Sequence, residues 1–80
     1  MKENEIRNAR KVVGTKETMR MVEKSLCKRV IIAEDAREDI LAPLLALCQS
    51  SGVEVTSVAS MSDLGELCGI KKGAASAGIL

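Results

Sequence analysis

The segment Gly14-Thr15-Lys16-Glu17-Thr18-Met19-Arg20 holds the densest set of chemically useful groups in this 80-residue chain. It follows a short β-branched run, Lys11-Val12-Val13, and opens a helical pattern. Polar side chains and unpaired backbone N–H groups therefore gather at a helix N-terminus. Thr15 has the side-chain oxygen that an N-cap needs. Glu17 falls in the first turn, and Lys16 and Arg20 flank it. Acceptors, donors and positive charge in one place make a setting suited to receiving RNA. The plainer alternative is that Glu17 complements the helix dipole while the two cations form a solvated face.

Other chemistry is sparse. The chain has no histidine, no Walker spacing and no G-x-G-x-x-G, so a nucleophile with its base, a metal cluster or a cofactor loop is hard to assemble. We expect no enzyme, no cofactor and no small-molecule substrate. Glu34 and Asp35 are adjacent carboxylates at a strand end, where neighbouring side chains point in different directions, which argues against a cooperating acid/base or metal pair. Cys27, Cys48 and Cys68 lie far apart without a C-x-x-C pair. They read as reduced thiols used as small buried hydrophobes, not as zinc ligands. Gly69 and Gly73 have GxxxG spacing, but Lys71 and Lys72 lie inside it, which removes its membrane meaning. Met1–Arg10 is charged and no apolar run approaches the ~20 residues that span a bilayer; a cytoplasmic protein with no membrane partner is expected.

The length fits one domain, residues 1–80, and 46% hydrophobic residues suffice for one small core. The net charge of +1 conceals a split. Residues 1–37 carry ten Lys or Arg against six Asp or Glu, and residues 38–80 carry two against five. The N-terminal half is thus the one expected to face phosphates, with the rest turned away. Phe, Tyr and Trp are all missing, which removes the stacking platforms that read splayed single strands. RNA would have to be recognised as a folded shape.

The elements that must position these groups alternate. A polar helix over 3–10 carries Ile6 and Ala9, and a strand over 11–14 leads to a helix over 16–26 with Met19, Val22 and Leu26 on its packed stripe. Cys27-Lys28-Arg29 connects to Val30-Ile31-Ile32-Ala33, a run typical of a strand covered on both faces. Ile40, Leu41, Leu44, Leu45, Leu47 and Cys48 give a broad helical stripe between Glu38 and Ser51, with Gly52 at its left-handed end. Pro43 suits a first turn, so that helix is expected to begin near Ile40 or Leu41. Val53, Val55 and Val58 alternate with polar residues as in a strand at a sheet edge, a place for dimerisation unless a loop or charges cover it. Ser60 and Asp63 resemble a capping box for a helix over 61–68. Gly65 inside that helix implies a close packing contact, and 74–80 supplies a last strand of small residues. The order αβαβαβαβ points to an α/β fold, a three-layer α-β-α sandwich around a four-stranded, mostly parallel or mixed sheet.

Gly14 to Arg20 resembles the Gly-Thr-Asn-Glu-x-x-Lys signature of the kink-turn-binding ribosomal proteins, the L-seven-A-e family. Further similar stretches follow in family order: Ile31-Ile32-Ala33-Glu34-Asp35-Ala36, Leu47-Cys48, Val58-Ala59-Ser60, Leu64-Gly65, Cys68-Gly69-Ile70 and Gly73-Ala74-Ala75. They cover about Ala9 to Leu80, and the compact form with Lys16 looks like the small bacterial branch. The resemblance implies binding to kink-turn RNA, a duplex bent at a bulge beside tandem sheared G·A pairs. It assigns Gly14, Thr15, Lys16, Glu17 and Arg20 to the G·A pairs, with Glu17 accepting from guanine donors. Glu34 and Asp35 are assigned to the neighbourhood of the bulge-nucleotide pocket, and Val58, Ala59 and Ser60 to the loop over the extruded base. On the residues alone, that trio is a strand end and a helix cap. Lys16 replaces the family's common Asn, exchanging an amide for a donor-only cation. Arg20 stands for Lys, and Ala59 replaces a frequent proline. The partner implied is a structured RNA, ribosomal or riboswitch, with association with the ribosome, and a monomer is expected. An accessory protein of the translation apparatus, acting through protein contacts with weak RNA binding, is the alternative.

Overall fold

The computed structural model describes residues 1–80. Eight elements alternate: α1 (Glu3–Asn8), β1 (Lys11–Val13), α2 (Thr15–Glu23), β2 (Arg29–Ala33), α3 (Glu38–Ser51), β3 (Glu54–Val58), α4 (Met61–Leu67) and β4 (Ser76–Ile79). The sheet order is β1-β4-β2-β3. Only β2 and β3 pair in parallel; β4 runs antiparallel to both β1 and β2. The sheet is therefore mixed, one of the two arrangements that the alternating element order allowed. The cause is that α4 ends in a tight turn and the chain doubles back, so β4 enters the sheet from the end where the other strands finish.

Side chains alternate across the sheet, as the pleat requires. Val30 joins Val22, Cys27, Leu44 and Cys48 beneath α2 and α3. Ile31 and Ala33 join Ile6, Leu64, Leu67, Ala77 and Ile79 beneath α1 and α4. The layers are thus α2 and α3, the sheet, then α1 and α4. All four residues of β4 are buried. Their small size admits α2 closely, since a Cβ at Gly78 would meet the Thr18 methyl carbon at 3.2 Å.

Most boundaries fall within two residues of the sequence expectation, and three differences have a clear physical reason. Helix α2 stops at Glu23 because Ser25 takes a positive φ of 60°. The Leu26 and Ser25 N–H groups then cap the Met21 and Val22 carbonyls at 2.9 and 3.0 Å, a Schellman ending with serine in the usual glycine position. Leu26 consequently leaves the packed stripe and is 57% exposed. Helix α3 begins at Glu38, earlier than expected, with Pro43 inside it. The N–H that Pro43 lacks would have reached the carbonyl of Asp39, an exposed residue that water can serve. Strand β4 is shorter than 74–80. The expected left-handed Gly52 (φ 71°) and the edge position of β3 are both present.

Gly65 has the close contact that its helix position implied. A Cβ there would overlap the Lys72 carbonyl oxygen, so glycine, which costs about 1 kcal/mol relative to Ala in a helix, lets the returning chain lie against α4. The Ile70 N–H closes the turn on the Gly65 carbonyl at 3.0 Å.

Candidate nucleic-acid interface

The register brings the C-terminal ends of β1, β2 and β3 and the N-terminal end of β4 to one pole, since Val13 pairs with Ala77, Ile32 with Ser76 and Ala33 with Val58. Every residue expected at the site lies at that pole or in the first two turns of α2. With strands about 4.8 Å apart, the start of α2 and the end of β3 are separated by about 14 Å. They form two parts of one face, bridged by the chain entering β4.

The first part is the start of α2. Gly14 is its N-cap, with φ 102° and ψ 149°, a conformation that strains any residue with a side chain. Its N–H donates to the Ser76 carbonyl at 2.9 Å, which fixes the turn to β4. Thr15 is not the N-cap. Its Oγ1 instead hydrogen-bonds the buried Ser76 Oγ at 2.7 Å, because the turn at Gly14 sets the helix start one residue earlier and directs the hydroxyl to the sheet. Thr15 thus acts as an anchor. Thr18, fully buried, donates Oγ1 to the Gly14 carbonyl at 2.7 Å. The first intrahelical bond comes from the Thr18 N–H, leaving the Thr15, Lys16 and Glu17 N–H groups open to an acceptor. Glu17 is half-exposed and lies 3.7 Å from the Arg20 guanidinium, with Lys16 exposed beside them. At that distance the pair is loose, so both groups can exchange it for contacts with a ligand.

The second part is the end of β2 with the end of β3. Glu34 is exposed and its N–H donates to the Val58 carbonyl at 2.9 Å. Asp35 turns the other way and accepts from the Met61 N–H at 2.7 Å. Ser60 is the N-cap of α4, accepting from the Asp63 N–H at 3.0 Å. The reverse bond of a full capping box is missing: Asp63 is too short for that reach, and Asp35 caps this helix from another loop. Two side chains thus pin the Val58-Ala59-Ser60 loop. Beside Glu34, a groove of about 330 Å³ opens between β2 and α3, with Ile32, Ala33, Ala36, Leu41 and Leu45 on its walls. The sequence pattern reads the apolar residues among these as core and does not reveal the groove.

The thiols contribute no reactive group to this face. Burial pushes Cys27, Cys48 and Cys68 up from the usual thiol range, and Cys27 also donates Sγ to the Arg29 carbonyl at 3.2 Å. They remain protonated and pack as expected, Cys68 less deeply than the others.

An α-β-α sandwich with a mixed sheet and polar loops gathered at one pole defines a class that the comparisons make specific. The model of the Ribosomal protein L7Ae/L30e/S12e/Gadd45 family matches residues 3–80, and the chain belongs to that family. Among its relatives, the RNA-binding protein of Bacillus pumilus is 36% identical over 69 residues, 86% of this chain and 84% of that protein. The RNA-binding protein YbxF of Geobacillus stearothermophilus is 42% identical over the same shares of the two chains. These likenesses agree with the small bacterial branch inferred from the motifs. Among solved structures, the Giardia lamblia 15.5kD RNA binding protein superposes with a TM-score of 0.87 at 26% identity, covering 96% of this chain and 68% of that one.

Proposed function

We propose that this protein is a non-catalytic reader of kink-turn RNA that works in the cytoplasm, in association with the ribosome. The observation that carries this reading is the convergence at one pole of two separate parts, the polar start of α2 and the apolar groove beside Glu34. Family membership and relatives named as RNA-binding proteins support it.

Gly14 to Arg20 enters the groove at the sheared G·A pairs, where Glu17 accepts from guanine N–H donors. Lys16 and Arg20 meet phosphate or base edges, and the open N–H groups of α2 donate to a phosphate oxygen. The extruded bulge base occupies the groove between β2 and α3, with Glu34 at its rim and Val58, Ala59 and Ser60 alongside. Asp35 acts on this loop through the Met61 N–H. Because the start of α2 and the end of β3 lie about 14 Å apart across the sheet, the groups along this pole meet their targets together only when the RNA is bent. The protein therefore shifts a pre-existing equilibrium toward the bent form. Carrying a 1:99 mixture to 99:1 needs about 5.5 kcal/mol of differential affinity.

The test is a titration at fixed, moderate salt with a labelled kink-turn RNA and a control whose G·A pairs are Watson–Crick, bending being read by energy transfer. Tight binding and bending of the first alone is expected; equal weak binding to both overturns the reading. Glu17→Ala should reduce the preference for the kinked RNA while leaving stability within about 0.5 kcal/mol, since an exposed pair contributes little. The second reading, an accessory acting through protein contacts, draws on α3, which has no charged residue from Ile40 to Ser51 and leaves Ile40 44% exposed.

A further inference from the structure

Residues 38–80 contain only two cations, Lys71 and Lys72, and they are adjacent. The charge balance of that half suggests a surface turned away from phosphates, yet the structure leads these two residues toward the RNA face. After α4 the chain turns at Gly69 and runs back along the helix. The Lys72 carbonyl lies against Gly65, Gly73 lies against Met61, and the Ala74 N–H donates to the Met61 carbonyl at 3.0 Å. Met61 is the residue capped by Asp35, so the basic stretch is tied to the pinned loop at the end of β3. The chain then enters β4, which sits between β1 and β2. The lysines thus lie on the segment that runs along α4, on the α1 side of the sheet, and leads into the pole that holds both parts of the candidate site.

Their chemical state fits an interaction with an external anion. Both are exposed. The four ion pairs of the molecule all use arginines, Arg7, Arg20, Arg29 and Arg37, and leave both lysines without a carboxylate partner. A close backbone approach to Gly65 holds in place a segment that would otherwise be a loose loop. We propose that Lys71 and Lys72 bind the phosphate backbone of the RNA, as a third point of attachment beyond the two parts already described. This proposal rests on the reading of the protein as an RNA binder. It adds that the C-terminal half carries part of the grip, through charge alone and without base specificity.

The test is the salt dependence of binding for the parent protein, for Lys71→Gln/Lys72→Gln and for Lys24→Gln/Lys28→Gln. The last variant also removes two charges, but at the opposite pole, after α2 and before β2. Removing one phosphate-binding cation should lower the slope of log K against log salt by about 0.9, hence by about 1.8 for two. Between 50 and 200 mM salt, the Lys71/Lys72 variant should therefore lose affinity about twelvefold less than the parent. Its ratio of kinked to control RNA affinity and its melting temperature should stay unchanged. An unaltered slope, or an equal fall in the opposite-pole variant, overturns the proposal. A parent protein that binds kinked and control RNA alike would instead sink the kink-turn reading, while the slopes on the control duplex would still decide the role of the lysines.

Discussion

Asp35→Ala tests the claim that this carboxylate acts through the covering loop. Its Oδ1 accepts from the Met61 N–H at 2.7 Å across two loops, and no other side chain serves that donor. Losing a cap of this kind costs about 1 kcal/mol, within a range of about 0.5–2. Asp35 is exposed, so water partly replaces it and about 1 kcal/mol is the reasonable figure. For a domain of this size that corresponds to a fall in Tm of about 4–8 °C. Asp35→Asn keeps an acceptor oxygen and loses only the charge beside the N-terminus of α4, about 0.3–1 kcal/mol, so its Tm should fall less. Amide hydrogen exchange at Met61 should accelerate in the alanine variant and much less in the asparagine variant. Melting of Asp35→Ala within about 1 °C of the parent, with Met61 exchange unchanged, would refute this capping role.

Gly65→Ala gains helix propensity of about 1 kcal/mol, but its methyl overlaps the Lys72 backbone. Overpacking typically costs about 1–3 kcal/mol, and backbone yields poorly, so a net loss near the upper end should appear as a lower urea midpoint. Thiol burial predicts a pH effect of definite sign. Folded Cys27 and Cys48 hold their protons to higher pH than the unfolded chain, so the unfolded state binds fewer protons once pH exceeds about 8.5. Their contribution is full below that pH and is lost as pH rises through the folded values. Stability measured by urea unfolding should fall on the alkaline side, and more gently in Cys48→Ala, each thiol contributing up to about 1.4 kcal/mol per pH unit.

Much of this architecture is legible in the residue pattern because several local signals agree. The apolar run of β2, the caps at Ser60 and Gly52 and the small residues of β4 each follow from periodicity or turn chemistry. Strand direction was not legible locally: nothing between Cys68 and Ala74 states that the chain doubles back along α4, a route that depends on Gly65 making room for the Lys72 carbonyl. Thr15 shows a second limit. Its type suits a cap, but Ser76, distant in sequence, offers its hydroxyl a partner and takes it away. Ser25 shows a third, since a serine at positive φ ended α2 where the stripe alone carried the helix on to Leu26. The candidate residues were chosen by type and the structure gathers them at one pole, whereas the groove beside Glu34 was not legible, because its lining is indistinguishable from core until the edge of α3 is placed.

The position of β4 sets the order in which the molecule can become functional. Its partners β1 and β2 come from earlier in the chain, and β1 pairs with β4 alone. Lys11 and Ile79, partners in that ladder, stand at nearly opposite ends of the sequence. Closing so long a loop is slow. Until it closes, Gly14 lacks the Ser76 carbonyl that holds its turn and Thr15 lacks its anchor. A chain still emerging from synthesis can form α3 and the β2–β3 pair, but the start of α2 stays unset. The start of α2 is thus set only once β4 has docked beside β1.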